Sequence, residues 1–210
     1  MSSTTTLTTF RPATQKDCPT IARLIQIASD GVCDYIWNTL TDDYPGLLPI
    51  EIGAQRYAEA DGNFSYCNCT LAIAGGVIQG LMMAFPIPPA DSTAPPEPPA
   101  ANGAIAPDVL APYALEQPNS WYICALAMFA EFRCQGIGTQ FLDLATHQAK
   151  MQNLPELSLL CFEQNVGAAR LYERYGFQTV NRAPVVPHPL IHYTGNILLM
   201  TKSVSIAFNC

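Results

Sequence analysis

Apolar positions recur along the chain with two periods. Ile21, Leu24, Ile25 and Ala28 follow i, i+3, i+4, i+7 spacing behind Asp17 and Pro19, which predicts an amphipathic helix capped by Asp17 with proline in its first turn. Helical patterning returns over Val32 to Leu40, is broken by Tyr44-Pro45-Gly46, and resumes from Ile50 to Ala60. Cys69 to Ala74 and Val77 to Phe85 are apolar runs joined by Gly75-Gly76, a two-residue hairpin signal. Trp121 to Phe129 predicts another strand, Ile137 to Met151 a helix, and Leu157 to Phe162 a buried strand. A short helix over Val166 to Tyr175 ends at Gly176, and strands over Phe177 to Asn181 and Asn196 to Lys202 follow. The order predicts a mixed α/β sheet with at least one parallel crossover.

Composition narrows the classes. Of 210 residues, 49% are apolar and 13% charged, which suits one sizeable core and excludes a disordered polyelectrolyte. The net charge of -7 lacks the basic footprint that nucleic acid or an anionic membrane requires, so neither is expected as a partner. No run of 18 apolar residues offers a transmembrane helix. Met1 to Phe10 is Ser/Thr-rich without a basic start and apolar block, so it reads as a leader over residues 1–9 rather than a secretory signal. Eight cysteines lie partly inside apolar runs, and Cys67-Asn-Cys69 has no second pair to complete a zinc set. Reduced thiols, a cytoplasmic location and no metal are expected.

The charge is uneven. No Lys or Arg lies between Tyr57 and Phe132, whereas Glu59, Asp61, Asp91, Glu97, Asp108, Glu116 and Glu131 do. Ten of the 18 prolines fall between Pro86 and Pro118, a segment with neither period. It is expected to be a surface excursion with polyproline character; a substrate flap and a ligand for a proline-binding partner are weaker readings. The expected organisation is a single domain over residues 10–203 interrupted at 86–118, with a tail over 204–210.

The segment with the most chemistry runs from the strand at Trp121 into Arg133-Cys134-Gln135-Gly136-Ile137-Gly138-Thr139 and then into a helix. Glycines let backbone N–H groups approach an anion, and a helix start presents unpaired donors at the positive end of its dipole. Arg133 adds a cation and Thr139 a hydroxyl. No Gly-Lys-Ser/Thr follows, so it is not a nucleotide P-loop, and the third glycine and ribose-binding acid of a dinucleotide site are missing. Alone, it also fits an ordinary strand-to-helix turn.

Thirty residues on stands Asn165-Val-Gly-Ala168-Ala-Arg-Leu171-Tyr172-Glu-Arg-Tyr-Gly176-Phe177. With Arg133-x-x-Gly136-x-Gly138, this block resembles the GCN5-related N-acetyltransferase (GNAT) superfamily at two diagnostic motifs, and Phe10-Arg-Pro-Ala-Thr-x-x-Asp17 resembles its first strand and helix start. The resemblance implies a mostly antiparallel central sheet with a splayed parallel pair, flanked by helices. It also implies acetyl-CoA as co-substrate and N-acetyl transfer to a primary amine, on a small molecule or a protein, with a homodimer among the expected partners. By resemblance, the pyrophosphate lies on the loop from Arg133 to Thr139, through Cys134, Gln135, Gly136, Ile137 and Gly138, and the pantetheine arm pairs with Leu126, Ala127 and Met128. Asn165 and Ala168 complete the cofactor set; Asn165 suits a helix N-cap equally well. Tyr172 is implied as the general acid that protonates the departing thiolate, against a packing role for its ring. Glu131, Glu163, His188 and His192 are the candidate bases, with no choice among them. A non-catalytic acyl-CoA-binding sensor is the alternative function.

Overall fold

A computed structural model describes residues 7–90 and 108–205. Residues 1–6 of the expected leader, 91–107 of the Pro-rich segment and 206–210 of the tail lie outside the described residues. Among the described residues, seven strands form one sheet: β1 (Thr9–Pro12), β2 (Cys69–Ala74), β3 (Val77–Ile87), β4 (Ser120–Met128), β5 (Glu156–Phe162), β6 (Gln178–Pro184) and β7 (Asn196–Ser203). Their spatial order is β1-β2-β3-β4-β5-β7-β6. Only β4 and β5 are parallel; every other neighbouring pair is antiparallel. This is the expected mixed sheet with one parallel crossover, and the crossover is the helix after β4.

Among the described residues, five α-helices flank it: α1 (Cys18–Ser29), α2 (Val32–Thr39), α3 (Pro49–Tyr57), α4 (Ile137–Met151) and α5 (Val166–Tyr175). Alternation along the strands sorts the two faces. Leu71, Leu81, Met83, Phe85, Ala125 and Ala127 pack against α1 to α3. Ala72, Met82, Ala84 and Ile123 face α4 and α5. A third, smaller cluster (Val32, Phe162, Val185, Ile191 and Ile197, with Tyr113 against it) covers the far end of β5 and β7.

Local chemistry explains most boundaries. Gly75 and Gly76 both have positive φ (56° and 79°), which a two-residue hairpin between right-twisted strands requires. Gly176 closes α5 at φ 101°. Asp17 stands at the start of α1 as expected but does not cap it with its side chain. Its carboxylate turns back to accept from Thr14 N–H, the Thr14 hydroxyl and both terminal nitrogens of Arg11. β3 runs two residues into the Pro-rich segment, with Pro86 opposite Trp121. Proline is tolerated there because β2 ends opposite Met83, so β3 has a partner on one side only. The seven described cysteines are free thiols. Among the described residues, no helix is long and apolar enough to cross a membrane.

Candidate functional site

The site begins where the parallel ladder fails. β4 pairs with β5 from Ser120↔Glu156 to Ile123↔Leu159 and no further, although β4 continues to Met128 and β5 to Phe162. The next residue of β4, Cys124, is an extra residue: the register with β3 passes from Met83↔Ala125 to Ala84↔Ile123. A bulge of this kind bends its strand and shifts the phase of its side chains. Before it, Trp121 and Ile123 face α4; after it, Leu126 and Met128 do. Cys124 and Ala125 are consecutive, yet both lie on the α1–α3 face.

The backbone of β4 past the bulge is half-paired. Phe129 N–H donates to Gln79 O (3.0 Å), so antiparallel alternation directs the amide groups of Ala127 and Ala125 to β3. Those of Leu126 and Met128 point toward the gap left by β5. Met128 O accepts from Arg133 Nε (3.2 Å), tying the next loop to the end of the strand. Gly80 lets the two strands meet here, since a Cβ on it would stand 2.6 Å from Ala127 O. The sequence signal for this close approach was a lone glycine inside an apolar run.

The loop from Arg133 to Thr139 has the conformation of an anion nest. Cys134 has φ 59° without being glycine, and Gly136, with φ 81°, leads into α4. The first backbone bond of α4 is Gln140 N–H to Gly136 O. Among the described residues, the N–H groups of Gln135, Gly136, Ile137, Gly138 and Thr139 have no intramolecular acceptor. The Gln135 side chain bonds Glu131 O (2.9 Å), pinning the preceding turn. A Cβ on Gly138 would stand 3.0 Å from Leu171 Cδ2 and 3.4 Å from Met128 Cε, so the absent side chain lets α4, α5 and β4 converge. Five unpaired donors beside a half-paired strand edge fit a pyrophosphate followed by an amide-bearing arm.

Asn165 is the N-cap of α5, with its side-chain oxygen accepting from Ala168 N–H (3.2 Å). Tyr172, two turns along α5 from Asn165, is buried in the α4–α5 cluster and meets Phe177 edge-on (5.8 Å between centroids). Burial pushes its phenol well above the usual tyrosine value, with a smaller push from Cys161. It is therefore protonated at neutral pH. Among the described residues its hydroxyl has no hydrogen-bond partner, and it is not one of the fully enclosed, unpartnered polar atoms.

On the opposite face of the sheet a cavity of about 330 Å³ opens over the bulge, lined by Cys124 and Ala125 below and by α1, α2 and α3 around it. None of the four candidate bases lines it. Glu131 and Glu163 are exposed, and Glu163 accepts from Asn196 Nδ2 (2.8 Å). His188 Nδ1 accepts from Leu190 N–H (3.2 Å), with its ring against Tyr35. The largely exposed His192 lies 3.4 Å from Asp30. Sequence reasoning missed this cavity, because its walls come from five elements and its floor from a bulge without a glycine.

The Acetyltransferase (GNAT) family model matches residues 33–177, well over half the chain. The chain belongs to the GNAT family. Its fold recurs in solved structures at low identity. One, described only as an acetyltransferase, shares 20% identity at a TM-score of 0.62, over 94% of this chain and all of that one. An N-acetyltransferase from Staphylococcus aureus Mu50 shares 16% at 0.60, over 92% and 100%. A GNAT family acetyltransferase from Elizabethkingia anophelis, solved with acetyl-CoA bound, shares 18% at 0.54, over 93% and 97%. No curated protein matches the GNAT chain in sequence. Among the described residues, no group of three or more metal-ligating side chains occurs.

Proposed function

We propose that the protein transfers the acetyl group of acetyl-CoA to a primary amine by direct attack, with Tyr172 as general acid. The observation that carries this reading is the coincidence, at one end of β4, of a strand edge freed by a bulge and a loop of five unpaired N–H groups. Membership of an acetyltransferase family and a structural relative solved with acetyl-CoA support the co-substrate. Acetyl-CoA supplies an activated thioester, and the rest is the work of this chain's residues.

The N–H groups from Gln135 to Thr139 hold the pyrophosphate, assisted by Arg133 and the α4 dipole. Leu126 binds the pantetheine arm through its free amide groups, with Asn165 and Ala168 flanking it. A backbone N–H on this edge, at Met128, polarises the acetyl carbonyl. The amine nitrogen forms the new C–N bond as the C–S bond breaks. The departing sulfur takes a proton from Tyr172 Oη, the amine's proton leaves to water, and water returns a proton to the Tyr172 phenolate before the next turnover. The raised pKa of Tyr172 keeps that proton in place at neutral pH. An ordinary ammonium with pKa near 10.4 is neutral only about once in 2,500 molecules at pH 7, so the acceptor must lose a proton before it attacks. A cytoplasmic or other reducing location is supported by the free thiols. Thiol release from acetyl-CoA in the presence of an amine panel tests the reading; acetyl-CoA binding without thiol release across the panel would favour the sensor alternative.

A further inference from the structure

The cavity on the α1–α3 face has a chemistry of its own. Its walls are apolar and aromatic: Ile25 and Ala28 from α1, Ile36 and Trp37 from α2, and Met83 from β3. Trp37 is 2% exposed and fixed in place: it meets Tyr57 edge-on at 6.3 Å, and a Cβ on Gly53 would come within 2.5 Å of its ring. Burial drives the Tyr57 phenol far above its usual value, so it stays uncharged. The floor is the bulge, so the deep end adjoins the strand edge where the acetyl group is placed. Tyr172 belongs to the cluster on the other face. An amine arriving from the cavity and a general acid behind the sheet would meet the thioester from opposite sides.

The mouth is different. Glu59, Asp61 and Arg56 line it, and no ion pair within 4 Å joins any of the three among the described residues. No Lys or Arg elsewhere between residues 57 and 132 can neutralise the two carboxylates. Phe64 stands beside them, 58% exposed, an aromatic held at the entrance rather than in the core. The net negative rim draws in a cation, and the apolar interior then disfavours the charged form. That desolvation supplies part of the deprotonation for which no candidate base is in place.

Resting on the proposed acetyltransferase function, we infer that this cavity is the acceptor pocket and selects a compact apolar primary amine carrying one aromatic ring or a branched alkyl group. The volume lies at the small end of ligand sites. A polyamine reacting at the deep end would leave its middle ammonium against Trp37, Ile25 and Met83, short of the carboxylates at the mouth, and a peptide amine would bury amide groups along the same apolar walls.

The test compares phenethylamine, spermidine, n-propylamine and a short peptide with a free N-terminus as acceptors, in the unmodified protein and in Ala28→Leu and Phe64→Ala. Acetyl-CoA affinity is measured calorimetrically for each protein. Phenethylamine should give the highest kcat/KM, at least about tenfold above spermidine and the peptide. Ala28→Leu, which narrows the interior, should lower kcat/KM for phenethylamine by about tenfold, mainly through KM, and that for n-propylamine by less than about twofold. Phe64→Ala, at an exposed site, should raise KM for phenethylamine while leaving acetyl-CoA affinity unchanged. Preference for spermidine or the peptide, or an equal loss for both monoamines in Ala28→Leu, would overturn the pocket assignment. Failure of the unmodified protein to bind acetyl-CoA, or binding without turnover of any of the four amines, would instead remove the acetyltransferase reading beneath it.

Discussion

Ile123 and Leu159 are the last paired residues of the parallel ladder, and the residue after Ile123 is the bulge. The two events have one cause. An extra residue in β4 bends it away from β5 while the antiparallel ladder with β3 resumes at Ala125. The result is a gap with the Leu126 and Met128 N–H groups turned toward it, the loop of unpaired N–H groups from Gln135 to Thr139 at its end and a cavity on the α1–α3 face.

Tyr172→Phe keeps the ring against Phe177 and removes only the hydroxyl. Acetyl-CoA affinity and melting temperature should stay unchanged, while kcat falls by about 10²-fold, at the low end for proton transfer by a placed side chain. Because burial raises the phenol's pKa, no loss of activity from its ionisation should occur below its ordinary value of about 10. A kcat profile from pH 6 to 9.5 should rise with acceptor deprotonation in both proteins, displaced downward in the variant. A falling limb near neutral pH that the variant abolishes would contradict the assignment.

Asn165→Ala removes the α5 cap. It should destabilise the protein by about 1 kcal/mol, or a few degrees in melting temperature for a chain of this size. If the same side chain also holds the pantetheine arm, acetyl-CoA affinity falls with it. Asn165→Asp, which caps equally well, separates the two roles: it should restore the melting temperature without restoring acetyl-CoA affinity.

Asp17 is held well below the usual carboxylate range, first by its hydrogen bond from Arg11 and then by those from Thr14. A depressed folded-state pKa gives stability that is present above about pH 4 and lost as pH falls through that value toward the folded one. Asp17→Asn should therefore be less stable than the unmodified protein at pH 7, with the difference shrinking below about pH 4. Urea melts at pH 7, 4 and 3 check this; a constant difference across them would count against it.

Much of this was legible in the sequence because it is written locally. Gly75-Gly76, Gly176 and the i, i+3, i+4 spacing of α1 each dictate conformation within a few residues. Gly136 leading into α4 and Asn165 capping α5 are dictated in the same way. What stayed hidden depends on residues distant in sequence. The bulge at Cys124 exists only relative to β3, and the position of Trp37 depends on Gly53 in the next helix. Asp17 looked like a helix cap because its best partner, Arg11, lies in β1, outside the local pattern. Pro86 looked like the end of a strand because nothing local reveals that β3 is by then an edge.

The most direct test of the site is calorimetric titration with acetyl-CoA of the unmodified protein, Gly136→Asn and Gly136→Asp. Gly136 has φ 81°, and nothing stands within 4 Å of where its Cβ would be, so both side chains fit and both residues tolerate this backbone. They differ by one charge, placed in the loop that should hold the pyrophosphate. Micromolar binding that Gly136→Asn largely keeps and Gly136→Asp weakens by at least about tenfold is the predicted result. Equal affinity for the two variants, or no binding by the unmodified protein, would contradict it.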